Sequence, residues 1–131
     1  GVEPQWADMP FFRVTYVAED QKTAEKDPQE AMDWVADLNG YRRTLEGGSE
    51  IYADLDHWVK TRPEDPPSYE SRLKSTAYFG TPDRVVEGIE NLRDQHNVQY
   101  YTAHFSYGSM EHEKVMRSMK LFADEVMPKF R

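Results

Sequence analysis

The 131-residue chain contains no cysteine. Disulfides, thiolate metal sites and cysteine nucleophiles are thereby excluded. The absence suits a reducing compartment, and a cytoplasmic location is expected. No apolar run approaches the ~20 residues that cross a bilayer, so no membrane span is expected. The opening Gly1-Val2-Glu3-Pro4 lacks the basic and apolar regions of a signal peptide. Basic residues are in short supply: 16 Lys+Arg stand against 24 Asp+Glu, a net charge of -8. Nucleic acid and anionic membranes need basic partners, so binding to either is not expected.

A hydrophobic content of 38%, with 13% aromatics, is enough for a packed core. The length fits one domain spanning 1–131. Phe11 to Ala18 is aromatic and β-branched and reads as a strand. Asp27-Pro28-Gln29-Glu30 reads as an acidic N-cap with Pro at the first helical position. Ala31, Trp34, Val35, Leu38 and Tyr41 then recur at helical spacing and form one apolar face. Thr23 to Lys26 forms an earlier turn that Pro28 interrupts. Gly47-Gly48-Ser49 marks a break. Ile51 to Val59 reads as a short amphipathic helix, Arg62 to Pro67 as a proline-rich loop and Ser68 to Lys74 as another short helix.

The last third is more regular. Thr76 to Phe79 is a short strand ending at Gly80. Thr81-Pro82-Asp83 opens a helix with Val85, Ile89 and Leu92 as its buried stripe. His96 and Asn97 end that helix, and Val98 to Phe105 is the next strand. Ser106 to Ser109 is a loop. Glu111 to Met127 is a final helix, stopped by Pro128, with Val115, Met119, Phe122 and Val126 inward. Met116 joins this stripe as core. Strands alternating with helices imply parallel βαβ units.

Three segments resemble the C-terminal part of luciferase-like flavin-dependent monooxygenases. Arg13 to Asp20 is similar to that family's sixth strand and the start of the following helix. Phe79-Gly80-Thr81-Pro82-Asp83-Arg84-Val85-Val86 is similar to the entry of its seventh helix. His104 to Val115, running on to Leu121 to Pro128, is similar to its eighth strand and terminal helix. Pro28 departs from the pattern. The resemblance implies the last three units of a (β/α)8 TIM barrel, a fold that typically needs about 250 residues. Three strands alone would leave two open edges. The fragment is then expected to bind the N-terminal barrel half, to self-assemble as a homo-oligomer or to rearrange its strand order. The intact parent would use FMN or deazaflavin F420, and this chain would supply barrel strands and pocket walls, inactive alone. The alternative is a non-catalytic homo-oligomeric or small-ligand-binding module.

Barrel chemistry sits at the carboxyl ends of strands. Here those are Ala18-Glu19-Asp20, Phe79-Gly80-Thr81 and His104 to Met110. His104, Ser106, Tyr107 and Gly108 read either as a substrate or flavin pocket wall or as a strand-to-helix loop around a hydrogen-bonded histidine. Gly80 and Thr81 read either as part of a cofactor phosphate site or as simple capping, with Thr81 as the cap. Asp54, Asp56 and His57 fit an exposed acidic turn better than a metal site. Glu111 and Glu113 complement the dipole of the last helix. No metal is expected. Trp6, Trp34 and Trp58 are expected to be buried.

Overall fold

The computed structural model describes residues 9–46, 68–75 and 77–131. The readings for Trp6, Gly47 to Ser49, Ile51 to Val59, Asp54, Asp56, His57, Trp58, Arg62 to Pro67 and Thr76 lie outside these residues. The described strands are β1 (Pro10–Val17), β2 (Ala77–Gly80) and β3 (Tyr100–His104). The helices are α1 (Gln21–Lys26), α2 (Gln29–Glu46), α3 (Tyr69–Ser75), α4 (Pro82–His96) and α5 (His112–Leu121). A π turn over Phe122–Val126 and a 3-10 turn over Met127–Phe130 extend α5. Among the described residues, no helix is long and apolar enough to cross a membrane.

The three strands form one parallel sheet in the order β2-β1-β3. Three successive barrel strands would lie in chain order, with helices on the outer face only. Here β1 lies in the middle and helices cover both faces, an order that differs from that of three successive barrel strands. The physical reason lies in β1, the longest strand. Its carboxyl half pairs with β2, Val14 opposite Ala77 through Val17 opposite Gly80. Its amino half pairs with β3, Pro10 opposite Tyr100 through Val14 opposite His104. The central position therefore satisfies backbone groups on both of its sides.

The connection from β1 to β2 runs through α1, α2 and α3. The return from β2 passes β1 to reach β3 through α4. Crossovers of one hand made in opposite directions place their helices on opposite faces. Two clusters confirm this separation. Tyr16, Ala77, Phe79 and Tyr107 pack with Ala24 of α1 and with Ala31 and Met32 of α2. Val17 on the other face packs with Val85 and Ile89 of α4 and with Val126. On that second face Thr15 is fully buried, and its hydroxyl lies 2.7 Å from the Tyr101 hydroxyl. Tyr101 also stacks on Tyr78 at 6.0 Å.

Several expected cores are corrected. Trp34 and Leu38 are 50% and 45% exposed, because only the first turn of α2, at Ala31 and Met32, seats deeply on the sheet. Met116 and Met119 are half exposed, while Val115, Ser118 and Val126 point inward. Pro128 does not stop the helical path. It sits at the start of the 3-10 turn, where a missing N–H costs nothing. Asp27 is not an N-cap but a helical residue closing α1.

Candidate functional site

In open parallel sheets, ligands bind beyond the carboxyl ends of the strands, where the strand order reverses direction. The sheet here reverses at β1, since β2 lies on one side and β3 on the other. A cleft of about 490 Å³ opens at the carboxyl end of β1. Tyr16, Val17 and Ala18 form its floor, Glu19, Asp20 and Asp27 one wall, and Arg117, Lys120, Leu121 and Asp124 the other. The volume is within the range of small-molecule sites.

The floor is held rigidly. The Val17 N–H donates to the Ser118 hydroxyl at 2.7 Å, and both residues are buried. That bond ties the strand end to the helix carrying Arg117 and Lys120. The Tyr16 hydroxyl donates to Asp27 Oδ2 at 3.0 Å. Burial, reinforced by this carboxylate, holds the Tyr16 phenol far above its ordinary value, so it remains a neutral donor at neutral pH. Lys114 Nζ lies 3.5 Å from Asp27 Oδ1 and 3.0 Å from Glu111. Hydrogen bonding to Glu111 first, and then the charge of Asp27, raise the Lys114 ammonium above its usual range. Asp20 caps α1 by accepting from the Thr23 N–H and hydroxyl, and those bonds lower its carboxyl below the usual value. Lys120 pairs with Asp124 at 2.5 Å.

None of His104, Ser106, Tyr107, Gly108, Gly80 and Thr81, the residues singled out from sequence, lines this cleft. Tyr107 is buried and stacks on Phe79 with ring centroids 5.9 Å apart. Desolvation raises its phenol strongly, and its hydroxyl hydrogen-bonds to no group among the described residues. Gly108 has φ +57°, and a Cβ there would meet the Ala31 carbonyl oxygen at 2.4 Å. The close approach at Gly108 is thus to helix α2. His104 is partly buried between Phe12, at 5.1 Å, and Tyr107, at 6.0 Å. Ser106 is exposed. Gly80 is buried, and its carbonyl accepts from the Ala18 N–H. Thr81 occupies the N-cap position of α4, but its side chain makes no capping bond there. This corrects the reading of Thr81 as a hydroxyl cap. No group of three metal-ligating side chains occurs among the described residues.

Sequence reasoning located the strand end Ala18-Glu19-Asp20 but missed Tyr16, Asp27 and Arg117 as neighbours in one cleft. Asp27 next to Pro28 mimics a helix start, which hid its role. A second hollow, about 650 Å³, follows the outer edge of β2 between α3 and α4. Leu73, Tyr78, Phe79 and Arg84 line it.

No family model matches the chain, and no curated protein matches it. Among solved structures it is similar to monooxygenase RslO1 from Streptomyces bottropensis. The likeness is one of fold. The two are 23% identical with a TM-score of 0.60, and the match covers 98% of this chain and 33% of that one. The chain therefore spans about a third of the length of that monooxygenase.

Proposed function

We propose that this chain is one part of a flavin-dependent monooxygenase or oxidoreductase, using FMN or F420, and is inactive alone. It supplies parallel strands and a pocket wall. The fold likeness to one third of a monooxygenase supports this reading. The observation that carries it is the cleft at the carboxyl end of β1, where the strand order reverses.

Charge decides which portion of a flavin these residues fit. Glu19, Asp20, Asp27 and Asp124 outnumber Arg117 and Lys120 around the cleft. A phosphate dianion is repelled there, so the cofactor's tail needs cations from elsewhere in the complete protein. The apolar floor of Val17 and Ala18, with Leu121 opposite, suits the edge of an organic ring or a neutral substrate. Bound flavin supplies electron transfer to oxygen, or hydride transfer in the deazaflavin case. The chain's own residues exclude water along this wall and present a neutral Tyr16 hydroxyl oriented by Asp27. Tyr107 and Gly108 support the wall from behind by packing on Phe79 and α2.

Titration of FMN and of F420, followed by fluorescence, tests the reading. The chain alone is expected to show no saturable binding. A longer polypeptide carrying this chain together with the remaining strands is expected to bind at micromolar concentration or tighter. Absence of binding in both cases overturns the proposal, and tight binding by the chain alone overturns the division of labour. A second reading is a non-catalytic, small-ligand-binding module. It is favoured by one observation: no described cleft residue is a histidine.

A further inference from the structure

The outward face of the C-terminal helical segment carries a row of apolar side chains that the fold leaves uncovered. Met116, Met119, Met127 and Phe130 are 50%, 43%, 41% and 38% exposed, and Ala123 between them is also exposed. Steps of three and four residues keep a row on one side of a helix. The π turn over Phe122–Val126 matters here. Its wider turn, with i→i+5 bonding, keeps the four-residue steps from Met119 to Ala123 to Met127 in line. The inward side of the same segment is separate: Val115, Ser118 and Val126 are buried there, and Leu121 and Phe122 pack against the second cluster.

The row reads the same in both directions. Its spacings are three, four, four and three, so Ala123 is its centre. An antiparallel copy placed across a two-fold axis at Ala123 sets Met116 opposite Phe130, Met119 opposite Met127 and Ala123 opposite Ala123. An isologous contact requires this kind of self-complementary patch. The small residue at the axis lets the two backbones approach, and flexible methionines fill the remaining space. Charge agrees with the geometry. Lys120 and Asp124 lie on one flank of the row and already pair with each other. In the antiparallel arrangement the same flank of each copy faces the other, so Lys120 of one copy comes near Asp124 of the second. We propose that this face is a two-fold homodimer interface whose occupant is a second copy of the chain, antiparallel and centred on Ala123. One helix pair buries an area near the lower limit for stable association, about 1,000 Å², so the dimer is of moderate affinity.

Because the native chain has no cysteine, disulfide trapping is a clean test. An Ala123→Cys variant is expected to form a covalent dimer under mild oxidation at least tenfold faster than a Gln95→Cys control on exposed α4. Mixing Met116→Cys with Phe130→Cys chains is expected to give mainly the mixed dimer. Sedimentation equilibrium of the unmodified chain is expected to show a concentration-dependent dimer. Ala123→Glu sets two like charges across the axis and is expected to weaken it at least tenfold, with an unchanged circular dichroism spectrum. A chain that stays monomeric to the highest concentration, a dimer indifferent to Ala123→Glu, or Ala123→Cys coupling no faster than the control overturns the proposal. Preferential Met116–Met116 coupling indicates a parallel pair and overturns it too. None of these readouts depends on flavin binding, so this inference and the functional proposal fail separately.

Discussion

Two glycines, one ending β2 and one in the loop after β3, show how residue-level geometry separates tolerance from strain. At Gly108 the backbone is left-handed and a Cβ would collide with the Ala31 carbonyl oxygen at 2.4 Å. Backbone atoms of a packed helix cannot retreat as a side-chain tip can. Gly108→Ala is expected to destabilise the protein by about 2–4 kcal/mol, combining φ strain with overpacking. At Gly80 no backbone atom is in the way: the nearest are Arg84 Cδ and Gln21 Oε1 at 3.0 Å, which can swing aside, and Arg84 Cβ at 3.1 Å, which must give by a few tenths of an ångström. Gly80→Ala is therefore expected to cost under about 1 kcal/mol. Urea unfolding of the two variants compares them directly, and a similar loss in both would refute the distinction. Ser118 supplies a third case. Its hydroxyl is the partner of the buried Val17 N–H, so Ser118→Ala leaves that donor unsatisfied and is expected to cost about 1–3 kcal/mol. Equal stability of Ser118→Ala and the parent would show that the bond does not hold the cleft floor.

Most of the regular elements were legible in the sequence, because each carries its own punctuation. Thr81-Pro82 opened α4, and Asn97, with φ 53°, closed it at the expected place. The π turn was not legible, since no residue type demands one. It begins only after Met116 and Met119, which stand at helical spacing on the regular helix α5, where Val115 and Ser118 take the buried positions instead. The exposure of Trp34 and Leu38 was hidden for a different reason: an apolar periodicity shows that a helix face can be buried, not that a partner reaches it. The strand order was likewise invisible, because β2 can add to either side of a parallel neighbour. The candidate cleft was half legible. Its strand end was marked by Ala18-Glu19-Asp20, but Arg117 lies on an element nearly a hundred residues away. The outer edge of β2 also carries a device the sequence did not announce. The Ala18 N–H bonds to the Gly80 carbonyl, so alternation along a parallel ladder turns the groups of Ala77 and Phe79 outward. Gln21 Nε2 occupies the Phe79 carbonyl at 3.2 Å. Gln21→Leu removes that guard while keeping side-chain bulk. Static light scattering is expected to show aggregation several-fold faster than for the parent, and an unchanged rate would mean that other groups guard this edge.

At the scale of the whole molecule, one strand organises both faces, and tyrosines are distributed around it on either side. Tyr16 and Tyr107 belong to the first cluster, Tyr101 to the second, and Tyr69 packs against the first. In each of the four, burial is the largest cause of a phenol pKa raised well above the ordinary 10. Below pH 10 the folded and unfolded chains both keep these protons, and the tyrosines add no pH dependence. Above it the unfolded chain releases them while the folded chain does not. Stability is therefore expected to fall as pH rises from 10 toward the folded values, with a slope set by the number of protons lost. Urea midpoints between pH 8 and 11.5, read beside phenolate absorbance, measure this. Tyr107 sharpens the test. Its buried hydroxyl has no hydrogen-bond partner among the described residues, so desolvating it was uncompensated. Tyr107→Phe retains the stack on Phe79 and removes that cost. It is expected to leave stability at pH 7 unchanged or raised by about 1 kcal/mol, and to flatten the alkaline slope by one proton. A loss of more than about 1 kcal/mol at pH 7 would show that the hydroxyl is bonded, and that the core behind the cleft is less apolar than its packing indicates.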